Sequence, residues 1–237
     1  MSDHATRSNA SQRQIARGNS TGPDSDQSSL SSRLAEDIKD LLVEGILRPG
    51  QHVSASALAQ QYGVSHIPVR EALGRLEAEG YLTRKKNAGF LVPPLSLSVV
   101  EDVYTWRKVI EHGAYERAVP QLQDKDLVQL AELSRRMRDQ VDANNGVTFH
   151  RLNHEFHFLA LNAMGSEQLL RILTPLWDAA SHFQAVLIRQ GGLLSVLQDQ
   201  HEMILTALER RDVRTVLDLT DEHRDTTLTL MRESLMK

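Results

Sequence analysis

The 237-residue chain contains no cysteine. Disulfide bridges and thiolate metal sites are therefore excluded, and any metal must rest on nitrogen and oxygen donors. Aromatic residues are scarce at 5% of the chain, so a core has to be built from Leu, Val, Ile and Ala. No apolar run approaches the roughly 20 residues needed to span a bilayer, and the N-terminus lacks the apolar stretch of a secretory signal. A cytoplasmic protein with no membrane partner is expected. An excess of positive charge is also missing. The net charge of −4, taken whole, argues against a nucleic-acid partner.

The distribution of charge reverses that last point. Residues 1–28 are net neutral, residues 29–95 carry +1 and residues 96–237 carry −5. Within the middle segment, Arg70, Arg75, Arg84, Lys85 and Lys86 cluster toward one end. A small DNA reader needs a local basic surface rather than a basic whole.

Residues 1–28 are rich in Ser, Asn, Gln and Asp and nearly devoid of aliphatic side chains, so a disordered tail is expected. From Ser32 the pattern changes. Leu34, Ile38, Leu41 and Leu42 repeat at helical spacing until Gly45 and Pro49-Gly50 end the element. Ser54 or Ser56 caps a short second helix, and Gly63 makes a turn. Ser65 caps a third helix with Pro68 in its first turn, where a missing amide proton costs little. Gly80 stops that helix. Tyr81-Leu-Thr83 and Gly89-Phe-Leu-Val92 then alternate like strands around the basic tip Arg84-Lys-Lys-Asn-Ala88, which reads as a β-wing. Pro93-Pro94 forms a stiff linker.

Beyond it, helices are predicted near 99–119, 124–143, 147–163, 166–190, 193–210 and 213–235. Ser98-Val-Val-Glu101 is a capping-box signature, and Pro175 is expected to kink or split the fourth of these helices. The predicted fold class is mainly α. An N-terminal winged helix-turn-helix (29–95) precedes an all-helical antiparallel bundle (96–237) for ligand sensing and dimerisation.

The second helix of a helix-turn-helix enters the major groove and reads bases from its N-terminal end. Ser65, His66 and Arg70 occupy that end here. The Arg70 fork suits a guanine edge or a phosphate, and Ser65 with the helix N-terminus suits a phosphate. Arg75 adds charge, and Lys85 and Lys86 at the wing tip can reach the flanking backbone. A lone Arg would be read as a solvated charge. Turn, helix and wing in register point to DNA.

In the bundle, the helix near 147–163 gathers Phe149, Leu152, Phe156, Leu159 and Ala163 on one arc. Asn153 and His157, one turn apart, lie beside it, whereas His150 and His154 are expected to face solvent. His201 falls within the stripe of Leu197, Ile204, Leu205 and Leu208. His223 lies on the inward side of the last helix. A single inward His is more often satisfied by a core hydrogen bond than by a metal. Three brought inward by three helices each need a partner, and one divalent ion serves them all. Neutral imidazoles suit Zn, Ni, Cu or Fe rather than Mg or Ca. Trp177, His182 and Arg189 are candidates for lining an interior cavity rather than for holding the metal, and the sequence does not decide whether they do.

The segment Gly63-Val-Ser-His-Ile-Pro-Val-Arg-Glu-Ala-Leu73, with Leu76-Glu-Ala-Glu-Gly80 and Asn87-Ala-Gly-Phe, closely resembles the winged helix of the GntR superfamily of bacterial transcription regulators. His66 stands where that family usually has Arg, and Ser56 where it often has a basic residue. Residues 99–235 resemble the FCD sensing domain of the FadR branch. Many of its members bind a metal through an Asp-x-x-Phe-His pair and two later histidines. This chain matches at Phe156, His157, His201 and His223, with Asn153 in place of the Asp.

The resemblance implies a divalent transition metal, Zn or Ni, held by Asn153, His157, His201 and His223. Asn153 brings no charge, so weaker binding is expected. Arg107, in Trp106-Arg-Lys-Val-Ile-Glu111, matches the family's Arg-x-x-x-Glu pattern and would grip the carboxylate of a small organic acid. On spacing alone, Arg107 and Glu111 would be a surface helix pair of little worth.

The function implied is that of a bacterial homodimeric regulator, a repressor rather than an enzyme. It would bind a double-stranded inverted-repeat operator and respond to a small carboxylate effector. Two other readings stand beside it. In one, the metal itself is the signal. In the other, the bundle is a metal-dependent hydrolase, which is disfavoured because Glu155 and Glu202 adjoin histidines in sequence and so point about 100° away from them.

Overall fold

Leu34, Ala35, Ile38 and Leu42 fall on one face at helical spacing, and all four are buried along α1 (Pro23–Val43). The computed structural model describes residues 23–43, 46–85, 89–94, 96–188 and 193–235. Most of the tail expected at residues 1–28 lies outside the described residues. The helix nevertheless starts at Pro23, inside that segment. Pro is well placed at a helix start, where its missing amide hydrogen loses no bond.

The chain returns through β1 (His52–Val53) to α2 (Ala55–Tyr62) and α3 (His66–Ala78). Of the two candidate caps for α2, Ser54 is the one used: its hydroxyl accepts from the Ala57 amide at 3.3 Å. Gly63, at φ 65°, closes α2 and turns the chain into α3, a left-handed geometry open to glycine without a Cβ clash.

The wing comprises β2 (Thr83–Lys85) and β3 (Gly89–Leu91). A third strand was not foreseen. β1 pairs antiparallel with the other side of β3, Val53 lying opposite Phe90, to give the order β1-β3-β2. Two residues are too few for alternation to show in a sequence. Val53, Leu82, Phe90 and Val92 share a core with Ile38, Val69, Leu73 and Leu76.

The six helices expected downstream are present as α4 (Leu97–Ala118), α5 (Asp124–Asp142), α6 (Gly146–Asn162), α7 (Glu167–Ile188), α8 (Leu193–Glu209) and α9 (Val213–Leu235). One local expectation fails. Ser98 is not a cap: Ser96 holds that position without a side-chain cap bond, and the Ser96 and Ser98 hydroxyls bond each other at 2.8 Å. Of the two outcomes expected at Pro175, a kink or a split, the split does not occur: α7 runs through it. The core joins Leu130, Met137, Phe149, Leu152, Phe156, Leu173, Ile204 and Leu208. Each such side chain contributes about 1.5–3 kcal/mol on burial.

The N-terminal unit is joined to the bundle by a buried bond: the Tyr81 hydroxyl donates to Asp178 of α7 at 2.8 Å. Burial pushes the Tyr81 phenol well above its ordinary range, so it stays a donor. No helix among the described residues is long and apolar enough to cross a membrane.

Candidate metal centre and nucleic-acid interface

His157 of α6, His201 of α8 and His223 of α9 are all buried, and one ring nitrogen from each lies within 4.8 Å of the other two. The stripe periodicity explains why: each sits on the face its helix turns toward the core. What aims them is a set of oxygens behind each ring. His201 Nδ1 lies 2.6 Å from the Leu197 carbonyl. A carbonyl only accepts, so Nδ1 carries the proton and Nε2 presents a lone pair. His223 Nδ1 lies 3.0 Å from Gln200 Oε1, whose amide nitrogen donates to Thr226 at 3.0 Å. An amide oxygen only accepts, so against Gln200 Oε1 His223 is again a donor at Nδ1 with a bare Nε2. His157 Nδ1 meets the Tyr115 hydroxyl at 2.7 Å.

The inner atoms crowd one another. His201 Nε2 is 3.1 Å from His157 Nε2 and 2.7 Å from Asn153 Oδ1. With the proton of His201 on Nδ1, its Nε2 lone pair points at the Asn153 amide. A cation placed there would take both Nε2 and Oδ1 as donors. Nitrogen donors fixed from behind by oxygens fit a divalent transition metal. Asn153 is buried beside them, so the structure brings all four expected ligands together.

His150 and His154 do not face solvent as expected. Both are half-buried. His150 bonds Ser181 at 3.0 Å, and His154 stacks on Phe158 at 4.0 Å. Packing of α7 against α6 covers them, which the α6 sequence alone does not reveal.

Beside the histidines is a buried charge network. Arg107 and Glu111 are 3% and 1% exposed, so this is not a surface pair. Arg107 Nε donates to Glu111 at 2.8 Å, and Arg224 of α9 donates to the other Glu111 oxygen at 2.5 Å. Arg224 also binds Asp221. The Arg107 guanidinium lies 3.7 Å from the centre of the Trp177 ring, which in turn lies 5.1 Å from the His157 ring. Three buried donors here, Arg107 Nη1, Trp177 Nε1 and Arg224 Nε, have no hydrogen-bond acceptor among the described residues. Such orphans are costly and rare.

Sequence reading had Arg107 but missed Tyr115 and Arg224 and left Trp177 undecided. Tyr115 was within reach, because residues 107, 111 and 115 repeat one helical turn apart. Arg224 carries no such signal. Arg189 lies outside the described residues, and so does the side chain of His182.

The other candidates lie on the N-terminal unit. His66 and Arg70 are exposed on the first turns of α3. Ser65 is the N-cap, yet its hydroxyl makes no cap bond. Ser56 is exposed in the first turn of α2. Arg75 is held within the unit, its guanidinium donating to Glu79 at 2.7 Å and to Ser32 at 3.3 Å. Lys85 is exposed on β2, and Lys86 lies outside the described residues.

A winged helix-turn-helix ahead of an all-helical domain is the architecture of a DNA-binding transcription regulator. Comparison with known families agrees. Residues 30–92 match the model of bacterial regulatory proteins of the gntR family, and residues 102–226 match the FCD domain. The chain belongs to the GntR family of transcription regulators, in its FadR-like branch with a C-terminal FCD domain.

The Nta operon transcriptional regulator of Aminobacter aminovorans is 29% identical over 187 residues, covering 78% of this chain and 88% of that protein. The transcriptional repressor GlaR of Escherichia coli is 24% identical over 206 residues, covering 84% and 94%. The solved structure of E. coli McbR/YncC superposes with a TM-score of 0.77 at 23% identity, covering 86% of this chain and 97% of that one, and so shares the fold. These relatives are regulators of transcription rather than enzymes.

The buried imidazoles make stability depend on pH. Burial pulls His201 from its ordinary 6.5 to about 4 and pushes His157 and His223 well below 6.5. The unfolded chain therefore binds protons that the folded chain refuses. Their stabilising effect is complete above about pH 6.5 and drains away as pH falls toward 4, at up to about 1.4 kcal/mol per pH unit for each ring. Melts in chelator should show the midpoint falling steeply between pH 6.5 and 5. A flat profile there would contradict neutral burial.

Proposed function

We propose that this regulator is a repressor whose hold on its operator is set by a small carboxylate bound beside a divalent transition metal in the helical domain. The observation that carries this reading is the set of orphaned donors, Arg107 Nη1, Trp177 Nε1 and Arg224 Nε, next to the imidazole cluster. The guest they call for is rich in acceptors and negatively charged, and a planar carboxylate matches the guanidinium fork. The metal, Zn or Ni, would be held by His157, His201, His223 and Asn153, and when bound it supplies positive charge and open positions for the acid's oxygens.

The DNA-reading unit in this proposal is residues 29–95, and the sensing and dimerisation unit is residues 96–237. Two copies place two α3 helices on an inverted repeat. Ser65, His66 and Arg70 serve the bases and nearby phosphates, while Ser56, Lys85 and Lys86 serve the flanking backbone; Arg75, already paired with Glu79 and Ser32, adds only to the local positive field. A route between the sites runs along α7. Trp177 packs on Arg107, and the next residue, Asp178, accepts from Tyr81 of the reading unit. An acid that moves Trp177 acts on that bond. It need only bind the two arrangements unequally.

A thermal-shift screen of small mono-, di- and tricarboxylates, with and without Zn or Ni, tests this. A subset of acids should raise the melting temperature only when metal is present, and the same acids should release DNA. In Tyr81→Phe they should still stabilise the protein but release DNA poorly. Release by metal alone, with no acid able to add to it, would instead make the metal the signal.

A further inference from the structure

We propose that Ile67 is a specificity residue that reads the methyl group of a thymine in the operator's major groove. Ile67 lies in the first turn of α3 and is 59% exposed. Its neighbours Pro68 and Val69 are buried, so α3 turns Ile67 away from the core. A solitary surface isoleucine needs no explanation elsewhere on a protein. In the first turn of a recognition helix it occupies a position that meets base edges.

Only thymine among the four bases offers a methyl group in that groove. A β-branched side chain, stiff at χ1, meets such a group with little entropy to lose. The same face of α3 continues one turn on through Arg70 and Glu71 to Gly74. An added Cβ at Gly74 would meet nothing within 4 Å, so protein packing does not require a glycine. A glycine inside a helix is otherwise unfavourable. Its bare backbone leaves this face free to settle close to DNA. Arg70 then supplies the polar contact and Ile67 the apolar one.

The test uses the full chain and the duplexes it selects from a random-sequence pool. Each thymine is replaced singly by deoxyuridine, which removes the methyl and keeps the pairing. One position per half-site should lose about fourfold in affinity, the transfer worth of one buried methyl. In Ile67→Ala that position should become indifferent to the methyl while other bases keep their effects. Ile67→Val should retain most of the discrimination. Unaltered melting temperatures verify the folds. The inference is overturned if no thymine is methyl-sensitive, or if Ile67→Ala feels every methyl loss as strongly as the parent chain.

Discussion

His201→Ala is expected to strip the protein of metal. His201 is fully buried, its Nδ1 is tied to the Leu197 carbonyl, and its Nε2 lies 3.1 Å from His157 Nε2 and 2.7 Å from Asn153 Oδ1. Removing it deletes the donor around which the others gather. After dialysis against trace Zn or Ni, elemental analysis should find about one metal per chain in the parent and less than about a tenth in the variant. The variant should also lose the rise in melting temperature that metal gives the parent.

Because His201 packs edge-on against Phe149 and Phe156, alanine also leaves a void. Asn153→Asp guards against that ambiguity. It keeps the volume, adds a negative charge to the donor set and should tighten metal binding by about tenfold or more. Full metal occupancy in His201→Ala, or weaker binding in Asn153→Asp, would remove these residues from the ligand set.

Arg70→Ala is expected to cost operator binding about a hundredfold while leaving the fold intact. Arg70 is exposed on α3 and makes no ion pair among the described residues, so its charge is free for DNA. This contrasts with Arg75, one turn and a half further on, which already serves Glu79 and Ser32. A bidentate contact to a guanine is worth about 1–3 kcal/mol, and loss of a phosphate contact lowers the salt dependence by about one ion. Gel-shift titrations over a range of salt separate the two. Relaxed specificity with an unchanged slope marks a base contact, and a shallower slope marks a phosphate. Unchanged affinity would take Arg70 out of the interface.

The parts of this protein that were legible in its sequence share a property: they are local. The turn at Gly63, the stop at Gly80 and the apolar stripes of α4 to α9 depend on φ preference and on periodicity, which neighbouring residues alone determine. That is why Asn153, His157, His201 and His223 were found, since each stands at a definite phase of its own stripe. The failures are also local signals, overridden. Ser98 has a capping sequence, but the helix begins earlier and its hydroxyl pairs with Ser96. His150 and His154 have an outward phase on α6, but α7 lies over them.

By itself, then, the order of residues determined a winged reading head, a helical bundle and three imidazoles facing its interior. Tertiary structure alone decided the meaning of Arg107 and Glu111. Their spacing is that of a weak surface pair, and they became a buried site because Arg224 arrives from 113 positions away and Trp177 covers the guanidinium. The link from that site to the reading head, Tyr81 to Asp178, spans 97 positions. Periodicity fixes which way a side chain leaves its helix. What waits there is set by how distant helices pack, and burial is what makes the same pair of charges inconsequential in water and demanding in a core.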